Sequence, residues 1–167
     1  IAGAWLEKTW YGEKILRVYN GYTREISVLE LLTPVLKLLF EDFTKAITTE
    51  NYTPNYVCIL DSITLKVEYI IRILCDEKLN IPTAYINSDG TVDEKTFTAL
   101  VFDLKKFVKD HPTIQPEMKQ VLLDDIIFID FILNSKAGKN IRNRVAHAHL
   151  DLDEYSPMKI VLVLAVI

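Results

Sequence analysis

The run Val121-Leu-Leu-Asp-Asp-Ile-Ile-Phe-Ile-Asp-Phe-Ile-Leu133 decides the fold class. Taken alone, Ile126 to Ile132 is a β-branched and aromatic stretch of strand length. In frame, Val121, Asp125, Phe128 and Ile132 fall on one helical line, and Leu122, Ile126, Ile129 and Leu133 on the adjacent one. The period extends back to about Pro116 and on to Asn134, so the stretch reads as a helix. So broad an apolar face predicts the central helix of the fold.

Outward from this run the spacing stays helical. From Ile26 to Ile47, Leu29, Leu32, Leu36, Leu39, Phe43 and Ile47 recur every three or four residues, and Thr33-Pro34 predicts a local kink. A second helix follows Thr53-Pro54-Asn55 and runs to about Lys78, with Val57, Leu60, Val67, Ile71 and Leu74 on one stripe. Asn80, Pro82 and Asp89-Gly90 break it, so residues 80–92 read as a loop. Asp93 is placed to cap a third helix, with Phe97, Leu100, Leu104 and Val108 inward, and His111-Pro112 ends it. Ser156-Pro157 is a helix start, and Ala4 to Tyr19 reads as a linker helix. The expected architecture is an all-α bundle of five to seven helices, with residues 1–20 a linker and 21–167 the helical domain.

Composition narrows the function. The 167 residues suit one domain. Net charge −4 and a pI of about 5.4 argue against a cation-coated surface, so any nucleic-acid site must be local. The longest apolar run, Ile160 to Ile167, is far short of the ~20 residues a bilayer needs. Glycines 3, 12, 21, 90 and 138 are too dispersed for a P-loop or a dinucleotide fingerprint. Cys58 and Cys75 lie in apolar helical contexts and read as buried, reduced thiols of a cytoplasmic protein. The start at Ile1 and the stop inside an apolar run read as a piece of a longer polypeptide.

The chemistry is concentrated in Ser135-Lys-Ala-Gly-Lys-Asn-Ile-Arg-Asn-Arg-Val-Ala-His-Ala-His149. Lys136, Lys139, Arg142 and Arg144 occur there with no acid before Asp151. This is a local anion site or, more plainly, a basic segment complementing a helix C-terminus. Asn143 and His147 share a helical face, whereas Arg142 and His147 diverge by about 140° on a regular helix. A site using both needs the helix to end or distort near Val145, or a second copy of the domain to complete the cleft. Arg suits bidentate phosphate contact, and His both takes and gives a proton near neutral pH. Together they suit phosphodiester cleavage.

Arg142-Asn143-Arg144-Val145-Ala146-His147 resembles the Arg-polar-x3-His motif of the HEPN superfamily. Leu60-Asp61-Ser62-Ile63-Thr64-Leu65-Lys66-Val67-Glu68, followed by Arg72 and an acidic turn, is similar to the long helix of a HEPN subgroup. That subgroup comprises larger prokaryotic proteins ending in Arg-Asn-Arg-x-Ala-His, and the likeness spans roughly residues 55–155. It implies a HEPN-like helical bundle acting as a metal-independent endoribonuclease of defence or toxin systems, without a cofactor. It also implies a homodimer with both motifs in one cleft, and an antitoxin or other domains of the same polypeptide as further partners. Some members only bind RNA or nucleotides, the alternative reading here.

By that resemblance Arg142, Asn143 and His147 are the catalytic residues; Lys136, Lys139, Arg144 and His149 are candidates for RNA contact. His147 alternatively serves capping or dimer packing. This chain has Ala148-His149 where the subgroup usually has Gly, which leaves His149 without a family role. Asp61, Thr64, Glu68 and Arg72 form a polar stripe on an otherwise apolar helix, read either as a solvated face or as support for Arg142 and His147. Asp124, Asp125 and Asp130 do not converge on a metal site, since 124 and 125 point apart. Trp5, Trp10, Tyr11 and Tyr19 are better suited to packing than to stacking bases.

Overall fold

A computed structural model describes residues 9–19 and 22–167. Residues 1–8, with Trp5 and the start of the expected linker helix, lie outside the described residues. The remainder of that segment is not helical: β1 (Ile15–Tyr19) pairs antiparallel with β2 (Tyr22–Ile26). Trp10 and Tyr11 pack beside this hairpin on a small core of Ile15, Val28, Leu32, Ile70 and Ile73, and the Tyr11 hydroxyl donates to the Ile167 carbonyl at 2.5 Å.

α1 (Val28–Thr48) starts at Ser27, whose Oγ accepts the Glu30 amide while the Glu30 carboxylate accepts the Ser27 amide. It runs through Pro34 and buries Val28, Leu32, Val35, Leu39 and Asp42; Ile47, expected on the inner stripe, is exposed. Asp42 is buried because it has partners: the Asn55 amide and the Tyr52 hydroxyl both donate to it at 2.7 Å, fixing the turn into the next helix.

α2 (Tyr56–Ile73), capped by Asn55, continues into a π-helical turn at Leu74–Lys78. It is the central helix, packed against α1, α5 (Ile141–Ala146) and α6 (Pro157–Leu164), and it buries Ile59, Leu60, Ile63, Val67 and Ile71. Cys75 is buried and its thiol is pushed up to about 11 by burial, whereas Cys58 is exposed, contrary to expectation.

The expected loop over 80–92 contains a second hairpin, β3 (Ala84–Ile86) with β4 (Val92–Glu94), closed at Gly90 with φ +83°. Asp93 therefore belongs to a strand, and Thr96 caps α3 (Phe97–Asp110), whose buried Phe97, Leu100, Leu104 and Val108 are those expected.

The run that opened the sequence reading is a helix, α4 (Pro116–Leu133). Its position is not central. It lies on α3 and buries Ile126, Ile132 and Leu133, while Val121, Ile127, Phe128 and Phe131 are exposed. The last helix, α6, begins at Ser156-Pro157 as expected. The fold is thus mostly helical, with six α-helices and two short hairpins among the described residues. No described helix is long and apolar enough to cross a membrane.

Candidate functional site

The motif lies on α5, a six-residue helix held between two turns. In the first, the Ser135 amide donates to the Asp130 carbonyl at 2.7 Å and the Lys139 amide to the Phe131 carbonyl at 2.9 Å. Gly138 fits only because it lacks a side chain, since a Cβ there would lie 2.1 Å from the Phe131 carbonyl oxygen. Asn140, left-handed at φ +51°, turns the chain into α5, and its side-chain oxygen accepts from the Asn143 side-chain Nδ2 at 2.7 Å.

Ile141 is fully buried against the core, which fixes the rotation of α5 and turns Arg142 toward α2. The Arg142 Nε donates to Glu68 Oε2 at 2.6 Å and Nη2 to Glu68 Oε1 at 3.0 Å, a fork-on-carboxylate pair. Nη1 donates to Asn143 Oδ1 at 2.8 Å. Three of the five guanidinium N–H bonds are thus used. Arg72 joins from one turn along α2, donating to Glu68 at 3.0 Å and to the Lys95 carbonyl at 2.9 Å. Burial alone would raise the Glu68 carboxyl, but the hydrogen bonds from Arg142 and Arg72 overcome it and hold the group below its ordinary value. The polar stripe of α2 is therefore no solvated face at Thr64 and Glu68, both of which are buried.

Asp61 serves elsewhere, accepting the Tyr155 hydroxyl at 3.1 Å and tying α2 to the C-terminal segment. Arg144 is also engaged within the domain. Its Nη1 donates to Glu154 Oε1 at 2.6 Å, Nη2 binds Glu154 Oε2, and Nη2 also donates to the His149 carbonyl at 3.0 Å. Hydrogen bonding from Arg144, then from the Asp151 amide, holds the Glu154 carboxyl at about 2.

α5 ends one residue before His147, the first of the two ways in which Arg142 and His147 could serve one site. The His147 amide donates to the Asn143 carbonyl, Ala148 to Val145 and His149 to Arg144, the last at 2.7 Å. With Ala148 at φ +52°, this is a Schellman turn whose left-handed position carries alanine. Glycine adopts that conformation without the steric cost that alanine meets there. His147 and His149 are both exposed, with ring centroids 5.8 Å apart.

The structure thus gathers Arg142, Asn143, Glu68 and Arg72 at one end of α5 and His147 with His149 at the other. Lys136 and Lys139 are exposed on the loop before it. A groove of about 440 Å³ runs past Asn143, lined also by Phe102, Lys105, Asn134 and Lys136. Asp130 there pairs with Lys105 at 3.1 Å. No group of three His, Cys, Asp or Glu side chains able to hold a metal ion occurs among the described residues.

No protein-family model, curated protein or solved structure matches the chain. Sequence reasoning did not find Asn134, Asn140 or Glu154 as parts of the site. Of these, only Asn140 carried a signal, as an Asn just ahead of a helix, a residue type that marks helix starts and tolerates the left-handed conformation.

Proposed function

We propose that this domain is a metal-independent endoribonuclease of the HEPN type, cleaving RNA by attack of a ribose 2′-OH on the adjacent phosphate. The observation that carries the reading is the Glu68 grip on Arg142. A buried carboxylate holds the guanidinium in one orientation, and among the described residues two of its N–H bonds are left over after Glu68 and Asn143 are served. A fixed, half-buried cation of this kind stabilises the charge that develops on phosphate oxygens and needs little reorganisation. Asn143, held by Asn140 and the Asn134 carbonyl, supports Arg142 through its side-chain oxygen. His147, on the Asn143 face and open to solvent, supplies acid–base chemistry.

The exposed apolar side of α4, with Ile127, Phe128 and Phe131, supports assembly as a homodimer; that its interface includes residues 136–149 follows from the HEPN resemblance, which puts both motifs in one cleft. The same surface favours the second reading, a non-catalytic dimerisation module that binds RNA or nucleotide. Incubation with a mixed RNA pool in EDTA separates the two. The ribonuclease reading expects new ends under chelation, and the module reading expects retention of intact RNA. Light scattering that shows a monomer at high micromolar concentration would count against the dimer.

A further inference from the structure

The His147–His149 pair has a geometry that the single-histidine motif does not require. Ala148 at φ +52° reverses the chain just beyond α5, so two residues apart in sequence present their rings side by side, with centroids 5.8 Å apart and planes inclined by 33°. His149 is not on a loose tail. Its amide is held by the Arg144 carbonyl at 2.7 Å and its carbonyl by the Arg144 guanidinium at 3.0 Å. Arg144 is itself fixed by both oxygens of Glu154, and Glu154 is held further by Lys159. Leu150, the next residue, is buried and anchors the turn to the core. The backbone around His149 is thus built, and its imidazole remains exposed.

Transesterification at a phosphodiester needs two proton transfers. The 2′-OH loses a proton as the O2′–P bond forms, and O5′ gains one as the P–O5′ bond breaks. Attacking and leaving oxygens lie roughly in line through phosphorus, so one base and one acid must reach opposite sides of it. Each needs only a hydrogen bond of about 2.6–3.2 Å to its oxygen.

We infer that His149 is the second acid–base group of this site: neutral His147 takes the 2′-OH proton while His149, as imidazolium, protonates the departing O5′. The inference rests on the ribonuclease reading and deepens it. The products are a 2′,3′-cyclic phosphate and a 5′-hydroxyl, and both exposed rings then return to their starting states by exchange with solvent. One chain therefore carries both proton-transfer groups, and the partner copy of a dimer need not supply the acid.

The test compares two substrates that differ only in the leaving group, a dinucleotide and the corresponding nucleoside 3′-(p-nitrophenyl phosphate). The aryl oxide departs without a proton, so removing the acid costs little on the aryl ester, whereas removing the base costs on both. His149→Ala is expected to cut the dinucleotide roughly 10²-fold more slowly and the aryl ester within a few-fold of wild type. His147→Ala is expected to lose roughly 10²-fold on both. Thermal melting of the variants should match wild type, because both rings are exposed. Equal loss by His149→Ala on the two substrates, rescue at His147→Ala instead, or wild-type cutting of the dinucleotide by His149→Ala would each overturn the inference while leaving the ribonuclease reading in place. Failure of the wild-type protein to cut either substrate or any pooled RNA would overturn both.

Discussion

Glu68 and Arg142 stand 74 positions apart and meet through both carboxylate oxygens, at 2.6 and 3.0 Å. The pair joins the central helix to the motif helix, so it belongs to the fold and to the candidate site together. Position alone suggests that Arg142, outside the apolar stripes, is a surface residue whose loss would cost no more than about 1 kcal/mol. The structure raises that figure. Arg142→Ala leaves a buried carboxylate with Arg72 as its remaining hydrogen-bonded cation, and the expected loss is about 1–3 kcal/mol. Glu68→Gln keeps the shape but removes the charge, and should lower both stability and RNA cleavage. Melting and cleavage assays on both variants check this; a Glu68→Gln protein with wild-type melting and turnover would contradict it.

Ala148 occupies the left-handed position of the turn that ends α5. A side chain there costs roughly 1–2 kcal/mol, partly offset by the greater entropy glycine loses on folding. Ala148→Gly should therefore stabilise the domain by about 0.5–1 kcal/mol, read as a rise in the denaturant midpoint with an unchanged slope. RNA cleavage should persist, because the His149 backbone bonds are retained.

Gly138→Ala should act in the opposite direction. The added methyl meets the Phe131 carbonyl backbone, which cannot swing aside as a side-chain tip can. The loop must shift, weakening the hydrogen bond from the Lys139 amide to Phe131, and overpacking of this kind costs about 1–3 kcal/mol. Hydrogen exchange should show the Lys139 amide losing protection first.

Acid stability follows from three carboxylates. The Asn55 amide and then the Tyr52 hydroxyl lower Asp42; burial opposes the lowering of Glu68, but Arg142 and Arg72 prevail; and Arg144 with the Asp151 amide holds Glu154 at about 2. Each binds fewer protons folded than unfolded at mildly acidic pH. Their stabilisation is therefore complete above the unfolded carboxylate range of about 4–4.5 and is lost as pH falls through and below it. Denaturant midpoints should be nearly level from about pH 7 to 5.5 and fall steeply toward pH 3. Arg144→Ala should flatten the lowest part of that fall, where Glu154 titrates.

Much of this architecture was legible because helices announce themselves by period and caps. Leu100, Leu104 and Val108 predicted the inner face of α3, and Ser156-Pro157 marked the start of α6. Placement was less legible. The apolar lines of α4 read as those of a central helix, yet α2 holds that place, because periodicity reports apolar area and not what covers it. The strands Ala84–Ile86 and Val92–Glu94 are three residues each, too short for an alternating pattern to stand out. At the site, Arg142, Asn143 and His147 could be picked by residue type and spacing. The burial of Glu68 could not, because a polar stripe facing solvent and one facing an arginine from a distant helix are written alike.

The proposed acid–base chemistry on RNA rests on the exposed ring of His147. The most direct measurement is the cleavage of a mixed RNA pool in EDTA by wild type and His147→Ala, with the chemistry of the new ends mapped and melting recorded in parallel. Wild type is expected to leave 2′,3′-cyclic phosphate ends, and the variant to lose roughly 10²-fold or more with a matching melting curve. Wild-type cleavage by His147→Ala, or intact RNA after incubation with the wild-type protein, would contradict it.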